Sequence, residues 1–269
     1  MTTLPYFHVD AFADRPFTGN QAAVMPLDTW LDDAILQALG EENNFAETAF
    51  YLPDASGQAE YELRWFTPTV EIALCGHATL ASGHIALSQV PERDHVTFRT
   101  RQAGILEVHR DGGGYRLALP AYPPEPVHME DWTAMLGGTP VERHFHPGRY
   151  NVLLFDNADQ VLALKPDFKA MALLGNEQFI CTAPGAGHPS GADVVSRVFV
   201  PGGGVDEDSV TGSAHAVLTP FWARRLGRES FSAYQASTRG GHVACRLDGN
   251  KAWLGGQCFT VVEASFRLA

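Results

Sequence analysis

The chain has 269 residues, of which 45% are hydrophobic, and a formal net charge of −12. This length accommodates one large domain or two of ordinary size, and the acidic balance argues against nucleic acid or an anionic membrane as a partner, because both require basic patches. No apolar run approaches the roughly 20 residues of a membrane span, the N-terminus shows no secretory signal, and the four cysteines have no metal-ligand spacing. We therefore expect a cytoplasmic protein with reduced thiols, no metal and no membrane contact.

The first half of the chain predicts strands around one apolar helix. Apolar runs predict strands at residues 6–11, 47–52, 61–66, 96–100, 104–110 and 115–119. A helix is predicted over residues 30–39 and ended by Gly40, because glycine is common just after a helix C-terminus. A second helix, residues 76–87, has so few polar side chains that we expect it to be buried on nearly all sides.

A proline-rich segment separates the two halves. Residues 120–126 contain four prolines, which neither continue a strand nor start a long helix. We therefore place an N-terminal domain at residues 1–119, a linker at 120–126 and a C-terminal domain at 127–269, with the last strand, 259–269, a candidate to rejoin the first domain. The second half predicts a helix at 212–226 closed by Gly227, and strands at 150–155, 160–164, 194–200, 242–247, 251–255 and 259–264.

The two halves repeat the same motifs in the same order. Residues 64–68 (RWFTP) recur as residues 197–201 (RVFVP), and residues 75–81 (CGHATLA) recur loosely as residues 211–217 (TGSAHAV). The repetition predicts two similar α+β domains related by a pseudo-twofold axis, each with strands around a central buried helix. Ligand sites are often found between domains, so a cleft between these two is where we expect a substrate.

Both central helices begin at a glycine, Gly76 in the first half and Gly212 in the second. The free N–H groups and the positive dipole end of a helix N-terminus bind anions, so the matched pair predicts two clamps for a small molecule that bears a carboxylate. Ser213 offers a hydroxyl to the same carboxylate. The alternative is that both glycines merely allow tight turns and that Ser213 is an ordinary helix N-cap.

Three residues of the first half are candidates for chemistry. Glu47 starts an apolar strand, where partial desolvation suits a carboxylate to acid–base catalysis; the alternative is a solvated acid at a strand edge. His77 follows Gly76, where the helix dipole favours a neutral imidazole; the alternative is a structural buried histidine. Cys75 precedes the same helix, where the pKa of a thiol falls; the alternative is a small buried residue.

Asp208 is the candidate acid of the second half. It lies in residues 202–210 (GGGVDEDSV), where three acidic residues and the missing lysine exclude a phosphate-binding loop. Its place just before Gly212 favours a role at the start of the second central helix. The alternative is a solvated acidic loop.

Together these segments resemble the PhzF (phenazine-biosynthesis) family of the diaminopimelate-epimerase superfamily. The resemblance runs nearly end to end and is carried by residues 17–20 (FTGN), 46–50 (AETAF), 64–68 (RWFTP), 74–81 (LCGHATLA), 207–215 (EDSVTGSAH) and 235–241 (QASTRGG). It implies two domains, each a barrel-like sheet wrapped around a central helix, with the active site between them, a homodimer and no cofactor. It further implies that Glu47 is the acid that moves a proton between carbons and that His77 and Asp208 assist it. The residues implied to hold the substrate carboxylate are Gly76, Gly212 and Ser213.

The chain departs from the family pattern at two positions. Ala46 stands where members often have serine, and Ser209 stands where they often have proline. Racemases and epimerases of this fold use one cysteine from each domain, whereas residues 210–214 contain no partner for Cys75. We therefore hypothesise a cofactor-independent isomerase with Glu47 as its single base. The alternatives are a two-base amino-acid epimerase that uses Cys75 and a non-catalytic protein that binds a metabolite.

Overall fold

Two structural units divide the chain of the computed structural model, which describes residues 2–128 and 130–268. One unit runs up to Ala118 and resumes at Gly255, and the other spans Leu119–Leu254. The last strand, predicted at 259–269 as a candidate to rejoin the first domain, lies with the first unit. The reason is backbone pairing, because this strand is antiparallel to the first, from Thr2 opposite Leu268 to Ala11 opposite Cys258.

The first unit is a mixed sheet with two helices among its described residues. Its elements are β1 (Thr2–Ala11), β2 (Asn20–Pro26), α1 (Asp33–Asn43), β3 (Glu47–Pro53), β4 (Tyr61–Phe66), β5 (Glu71–Ile72), α2 (Gly76–Ser88), β6 (His95–Thr100), β7 (Ile105–Asp111), β8 (Gly114–Pro120) and β18 (Cys258–Leu268). Strand β3 pairs in parallel with β2 and antiparallel with β4. Strand β4 in turn pairs in parallel with β6, which is antiparallel to β7.

The second unit repeats this pairing scheme. Its elements are β9 (Glu125–Pro126), α3 (Thr133–Leu136), β10 (Glu142–His146), β11 (Tyr150–Leu154), α4 (Ala158–Leu162), α5 (Phe168–Ala172), β12 (Gln178–Pro184), β13 (Val194–Val200), a 3-10 turn (Pro201–Gly203), β14 (Val205–Asp208), α6 (Gly212–Leu226), β15 (Ser230–Gln235), β16 (Gly241–Asp248) and β17 (Lys251–Gly256). Strand β12 is parallel to β11 and antiparallel to β13, while β13 is parallel to β15, which is antiparallel to β16. The predicted α+β repeat is confirmed at the level of strand order within each unit.

An arginine, buried in the first unit and partly buried in the second, occupies the same place in both repeats. Arg64 donates from Nε and an η-nitrogen to the two carboxylate oxygens of Glu71, each at 2.8 Å. Arg197 makes the same two-bond contact with Glu207, again at 2.8 Å. Each guanidinium also lies over an aromatic ring two residues further along its own strand. The repeated RxF motif is therefore a structural element that stabilises each unit through a charge-assisted pair.

Helix α2 is buried as predicted, because all of its residues except His84 and Ser88 are buried. Gly83 lies at its closest approach to the sheet, because a Cβ built there would come within 2.4 Å of a methyl carbon of Val108 in β7. Glycine, normally unfavourable in a helix interior, is thus required here by packing.

Helix α6 contains a proline, which leaves one helix carbonyl free to accept a hydrogen bond from residues 120–126, the segment predicted to be a linker. Pro220 has no N–H, so the carbonyl of Ala216 four residues earlier loses its usual helical donor. The N–H of Tyr122 donates to that carbonyl at 3.1 Å. The proline-rich segment is therefore attached to α6 through a hydrogen bond that the helix cannot make for itself.

The structure corrects two details predicted from the sequence. Gly40 lies inside α1, whose C-cap is Asn44 with φ 50°; Gly40 instead permits packing, since a Cβ there would lie 3.1 Å from the carbonyl oxygen of Thr67. Residues 160–164 are not a strand, because the Asn157 side chain accepts the N–H of Gln160 and starts α4.

Seven strands in the described part of the chain were not predicted from the sequence: the short β5, β9 and β14, and the longer β2, β10, β12 and β15. Strands β2 and β12 are almost completely buried, so they lack the polar–apolar alternation that marks a half-exposed strand. As to the membrane, no helix of the described residues has both the length and the apolar character to cross a bilayer.

We predict that Gly83→Ala destabilises the protein by about 1–3 kcal/mol, the usual effect of overpacking, although the same change in an open helix stabilises by about 1 kcal/mol. Chemical denaturation of Gly83→Ala, Val108→Gly and the double variant measures the coupling. The penalty is expected to disappear in the Val108→Gly background. An equal penalty in both backgrounds would show that Val108 does not impose the glycine.

A second prediction concerns His215, which is fully buried in α6 and whose Nδ1 lies 2.8 Å from the Thr211 carbonyl. Burial lowers the pKa of His215 to about 4, below its value in the unfolded chain. The unfolded state therefore binds more protons below pH 6.5, and stability falls as pH drops from about 6.5 to about 4. The loss is on the order of 1.4 kcal/mol for each tenfold difference in proton affinity between the two states.

The matched variant is His215→Thr, because Thr79 at the equivalent place in α2 donates its hydroxyl to the Cys75 carbonyl in the same way. Urea denaturation at several pH values is expected to show a shallower pH dependence for His215→Thr than for wild type. Exposed His95→Gln serves as the control and is expected to keep the wild-type slope. Identical slopes for all three proteins would contradict the assignment.

Candidate active site

Glu47 and His77 meet at the ends of two elements of the first unit. Glu47 is the first residue of β3 and lies opposite Ala22 of β2, while His77 is the second residue of α2. His77 Nε2 and Glu47 Oε2 are 3.0 Å apart, with side-chain exposures of 4% and 16%. The pair does not reach hydrogen-bond alignment, and neither atom has another hydrogen-bond partner among the described residues. Two strongly polar atoms therefore face each other in a largely dry environment.

Asn20 and Cys75 both contact Nδ1, the second nitrogen of the His77 ring. Nδ2 of Asn20 lies 3.1 Å from Nδ1, and the Cys75 sulfur lies 3.5 Å from the same atom. A side-chain amide can present either its nitrogen or its oxygen to a ring nitrogen, so Asn20 can serve His77 in either protonation state. Asn20 was not among the site residues predicted from the sequence, although it lies in the FTGN segment; the available signal was its position directly after a glycine-containing turn.

The turn before Asn20 is tightly constrained. Gly19 has φ +70°, and a Cβ there would lie 2.3 Å from the carbonyl oxygen of Ala11. Phe17 also has a positive φ of 73°, and its N–H donates to the buried carboxylate of Asp10 at 2.7 Å. Backbone conformations of this kind persist only when surrounding contacts enforce them. The β1–β2 connection therefore delivers Asn20 to His77 in one fixed position.

The charge state of His77 differs from the sequence-based expectation of a neutral imidazole. Burial disfavours the charged ring, but its contact with the Cys75 sulfur and the charge of the Glu47 carboxylate outweigh burial and hold the pKa of His77 well above its ordinary value. The reason is distance, because a full carboxylate charge 3.0 Å away acts more strongly than the partial charge of a helix end. The raised pKa therefore favours a protonated His77 directly beside the Glu47 carboxylate.

Of the two interpretations of Cys75, the structure fits the small buried residue. Burial, together with the nearby Glu47 carboxylate, raises the pKa of its thiol to about 11, whereas a reactive thiol before a helix would have a lowered pKa. Desolvation therefore dominates over the helix dipole at this residue. Near neutral pH, Cys75 is a protonated thiol beside His77.

Gly76 begins α2, and no side chain caps this end of the helix. The residue is buried and stands between Cys75 and His77. The first-turn N–H groups of α2 thus lie next to the Glu47–His77 pair, which fits the predicted anion-binding role of Gly76.

The predicted residues of the second unit gather at the first turn of α6. Ser213 is the second residue of that helix and not its N-cap, which is Thr211. The Ser213 hydroxyl lies 3.4 Å from the Gln178 side-chain amide nitrogen and also bonds the Tyr150 side chain. Gly212 is the buried first residue of α6, and this end has no side-chain cap either.

Asp208 organises the turn that leads into α6. One carboxylate oxygen accepts the N–H of Ser209 at 2.9 Å, and the other accepts the Thr211 hydroxyl at 2.6 Å. Gln235 donates to the Asp208 carbonyl at 2.7 Å and accepts the N–H of Thr211. The alternative of a merely solvated acidic loop therefore does not describe Asp208, whose carboxylate is bound within the turn.

The two units contain equivalent trios with different chemistry. In the first unit, Asn20 at the start of β2 and Glu47 at the start of β3 contact His77 of α2. In the second unit, the starts of β11 and β12 and the second residue of α6 supply the equivalent side chains. These are Tyr150, Gln178 and Ser213. Only the first trio contains ionisable groups that exchange protons near neutral pH.

Known proteins resemble this chain in sequence and in fold. A family model described as phenazine biosynthesis-like protein (PhzC-PhzF) matches residues 9–264. The chain is 42% identical over 267 residues to an uncharacterized isomerase of Pseudomonas aeruginosa, covering 99% of both chains. A crystal structure of a PhzF-family phenazine biosynthesis protein from Enterococcus faecalis has a TM-score of 0.91 and 38% identity over 99% of this chain and 100% of that one. A hydroxyproline epimerase from Agrobacterium vitis, 15% identical with a TM-score of 0.60 over 98% and 92% of the chains, shares the fold.

We predict that Asn20→Ala lowers the free energy of unfolding by about 1–3 kcal/mol, because the buried Nδ1 of His77 loses its amide partner. The matched control is Gln21→Ala, which removes an amide–histidine contact with His8 in a less buried place. Denaturation measures the stability of both variants. Nitrogen NMR of the His77 ring is expected to shift in Asn20→Ala and not in Gln21→Ala, and an unchanged ring spectrum in both would contradict the role of Asn20.

Proposed function

The chain belongs to the phenazine biosynthesis-like (PhzC-PhzF) family, and we propose that this isomerase moves a proton between carbons of a small substrate bearing a carboxylate, with Glu47 as the acid–base group. The family resemblance seen in the sequence and the epimerase-like α+β fold are both confirmed by the comparisons. The identity of the base and the class of substrate are the parts that we propose.

The exposure of Glu47 is the observation that supports this role most directly. Its Oε2 atom is buried against His77, yet 16% of the side chain remains accessible. A carboxylate that is held at one oxygen while part of its side chain stays accessible can take a proton from a substrate carbon without losing its position. General acid–base catalysis requires this combination of fixed geometry and access.

His77 is proposed to assist Glu47 as a charged partner. The protonated ring stabilises the Glu47 carboxylate before proton abstraction, and it remains beside the carboxyl group once that group has gained the substrate proton. Asn20 and Cys75 keep the ring in place through its other nitrogen. The same Glu47 then returns the proton to a neighbouring carbon, so no second base is needed.

The substrate carboxylate is proposed to bind at helix N-termini. Gly76 lies directly before His77, and the uncapped first turn of α2 offers N–H groups to negative charge developing in the transition state. For Gly212, Ser213 and Asp208 the proposal rests on the uncapped start of α6 and on the hydroxyl of Ser213. Asp208 would act there by shaping the turn, since both of its oxygens are engaged.

The two-base alternative is weakened by the state of Cys75. A general base must be deprotonated, whereas burial keeps this thiol protonated near neutral pH. The second unit has Ser213 and Gln178 where the first has His77 and Glu47, which fits binding better than proton transfer. Substrate specificity is not determined by the fold, so a phenazine precursor is not assumed.

The decisive experiment is proton exchange in deuterated water. Wild-type protein is incubated with a panel of small unsaturated and amino-substituted carboxylates, and deuterium incorporation is followed by mass spectrometry and NMR. For the compound that exchanges, Glu47→Gln is expected to lower the rate by roughly 10²–10⁴-fold, the usual contribution of a positioned acid–base group. Normal exchange by Glu47→Gln would exclude Glu47 as the base.

Two control variants make the result specific. Glu107→Gln removes a Glu–His pair of similar length, 3.1 Å, in a more exposed place, and it is expected to leave exchange unchanged. Cys75→Ala is expected to retain exchange within about tenfold; its complete loss with Glu47 intact would favour the two-base epimerase. Binding of a panel member without any exchange would favour the non-catalytic alternative.

A further inference from the structure

We infer that Glu47, Cys75 and His77 also form a binding site for a thiophilic divalent cation of the Zn²⁺ type, and that the bound cation inhibits the protein. The inhibition rests on the proposed role of Glu47, because a cation bound to the lone pairs of the Glu47 carboxylate prevents that carboxylate from accepting a proton. The binding itself does not depend on that role. No metal was expected from the sequence, because Glu47 is distant along the chain from Cys75 and His77.

The ligand set is the first argument. One ligand atom from each of the three residues can be chosen so that all lie within 4.8 Å of one another, and no other such cluster of histidine, cysteine and acidic residues occurs in residues 2–128 and 130–268. One sulfur, one imidazole nitrogen and one carboxylate oxygen are the three donor types that zinc takes in proteins. Three protein ligands with a fourth position open are characteristic of zinc sites that exchange their outer ligand.

The unsatisfied polar atoms are the second, independent argument. His77 is 3% exposed, and its Nε2 faces Glu47 Oε2 at 3.0 Å without hydrogen-bond alignment, while neither atom has a hydrogen bond to any other described residue. Buried polar atoms without partners are costly and are rare in proteins. A cation between them would satisfy both, and the accessible part of Glu47 provides its route of entry.

The required movement is small. Zinc lies roughly 2.0–2.3 Å from nitrogen, oxygen and sulfur ligands, so tetrahedral ligands are separated by roughly 3.3–3.8 Å. Drawing ligand atoms at up to 4.8 Å into this range needs side-chain shifts of about 1 Å. On binding, the Cys75 thiol proton and the proton held by His77 are released to solvent, because the metal bonds to the thiolate and to the neutral ring nitrogen.

The same donor set discriminates between cations. Mg²⁺ and Ca²⁺ prefer sites made entirely of oxygen atoms, whereas thiolate and imidazole favour Zn²⁺ and its spectroscopic substitute Co²⁺. We therefore expect Zn²⁺ to displace Co²⁺ from this site and a large excess of Mg²⁺ to leave Co²⁺ bound.

The test titrates the metal-free full chain with Co²⁺ and follows absorption. Wild type is expected to bind one Co²⁺ and to develop a sulfur-to-cobalt charge-transfer band, which Zn²⁺ abolishes by competition. Cys75→Ser is expected to lose that band, and His77→Gln and Glu47→Gln are expected to weaken binding by at least the roughly 10–100-fold that changes around metal ligands cost. Cys258→Ser, which changes a partly buried cysteine elsewhere, is the matched control and should bind normally.

Several results would overturn the inference. They are the absence of a cobalt–sulfur band in wild type, its persistence in Cys75→Ser, or its equal loss in Cys258→Ser. Circular dichroism of each variant shows whether a lost band reflects unfolding, and Zn²⁺ competition on wild type needs no variant at all. Because no substrate is present, the outcome is independent of catalysis: cobalt binding with normal turnover by Glu47→Gln would retain the metal site and reject the proposed base.

Discussion

The contact between the Glu47 carboxylate and the His77 ring is the interaction on which the proposed chemistry of this protein depends. Two ionised groups are taken largely out of water, which is costly unless they compensate each other. Here they do so at 3.0 Å, with a small exposed fraction left on the carboxylate. Deeper burial would close the carboxylate to any ligand, and full exposure would remove its positioning. The site therefore combines stability with access by burying the histidine more than the acid.

Several separate segments must be correct for that contact to form. Strand β3 begins at Glu47 because its partner β2 runs parallel to it, and β2 begins at Asn20 because Gly19 turns the chain sharply. Helix α2 begins at Gly76 and is buried against the sheet, with Gly83 allowing its close approach to Val108. The active geometry is thus a consequence of core packing, and substitutions far from Glu47 can disturb it.

Duplication explains which parts of the chain are structural and which carry chemistry. The arginine–glutamate pairs occur in both units with the same geometry, which identifies them as part of the scaffold. The helix start that follows is also duplicated, but its side chains diverge, with His77 in one unit and Ser213 in the other. One trio has become ionisable and the other has remained neutral and hydrogen-bonded. In the proposed function, proton transfer and polar binding therefore belong to different copies of one motif.

The sequence by itself determined the α+β repeat and the buried character of α2, and it predicted Glu47 and His77 as candidates for chemistry, because motif spacing and hydrophobic pattern are local properties that survive without coordinates. It missed Asn20, the bound state of Asp208 and the true role of Gly40, it expected a neutral His77, and it left two interpretations of Cys75 open. Only tertiary structure decided these points, because hydrogen-bond partners and desolvation depend on residues that are distant in the chain. It also decided that the last strand belongs with the first, since backbone pairing between β1 and β18 leaves no signature in the sequence of either strand.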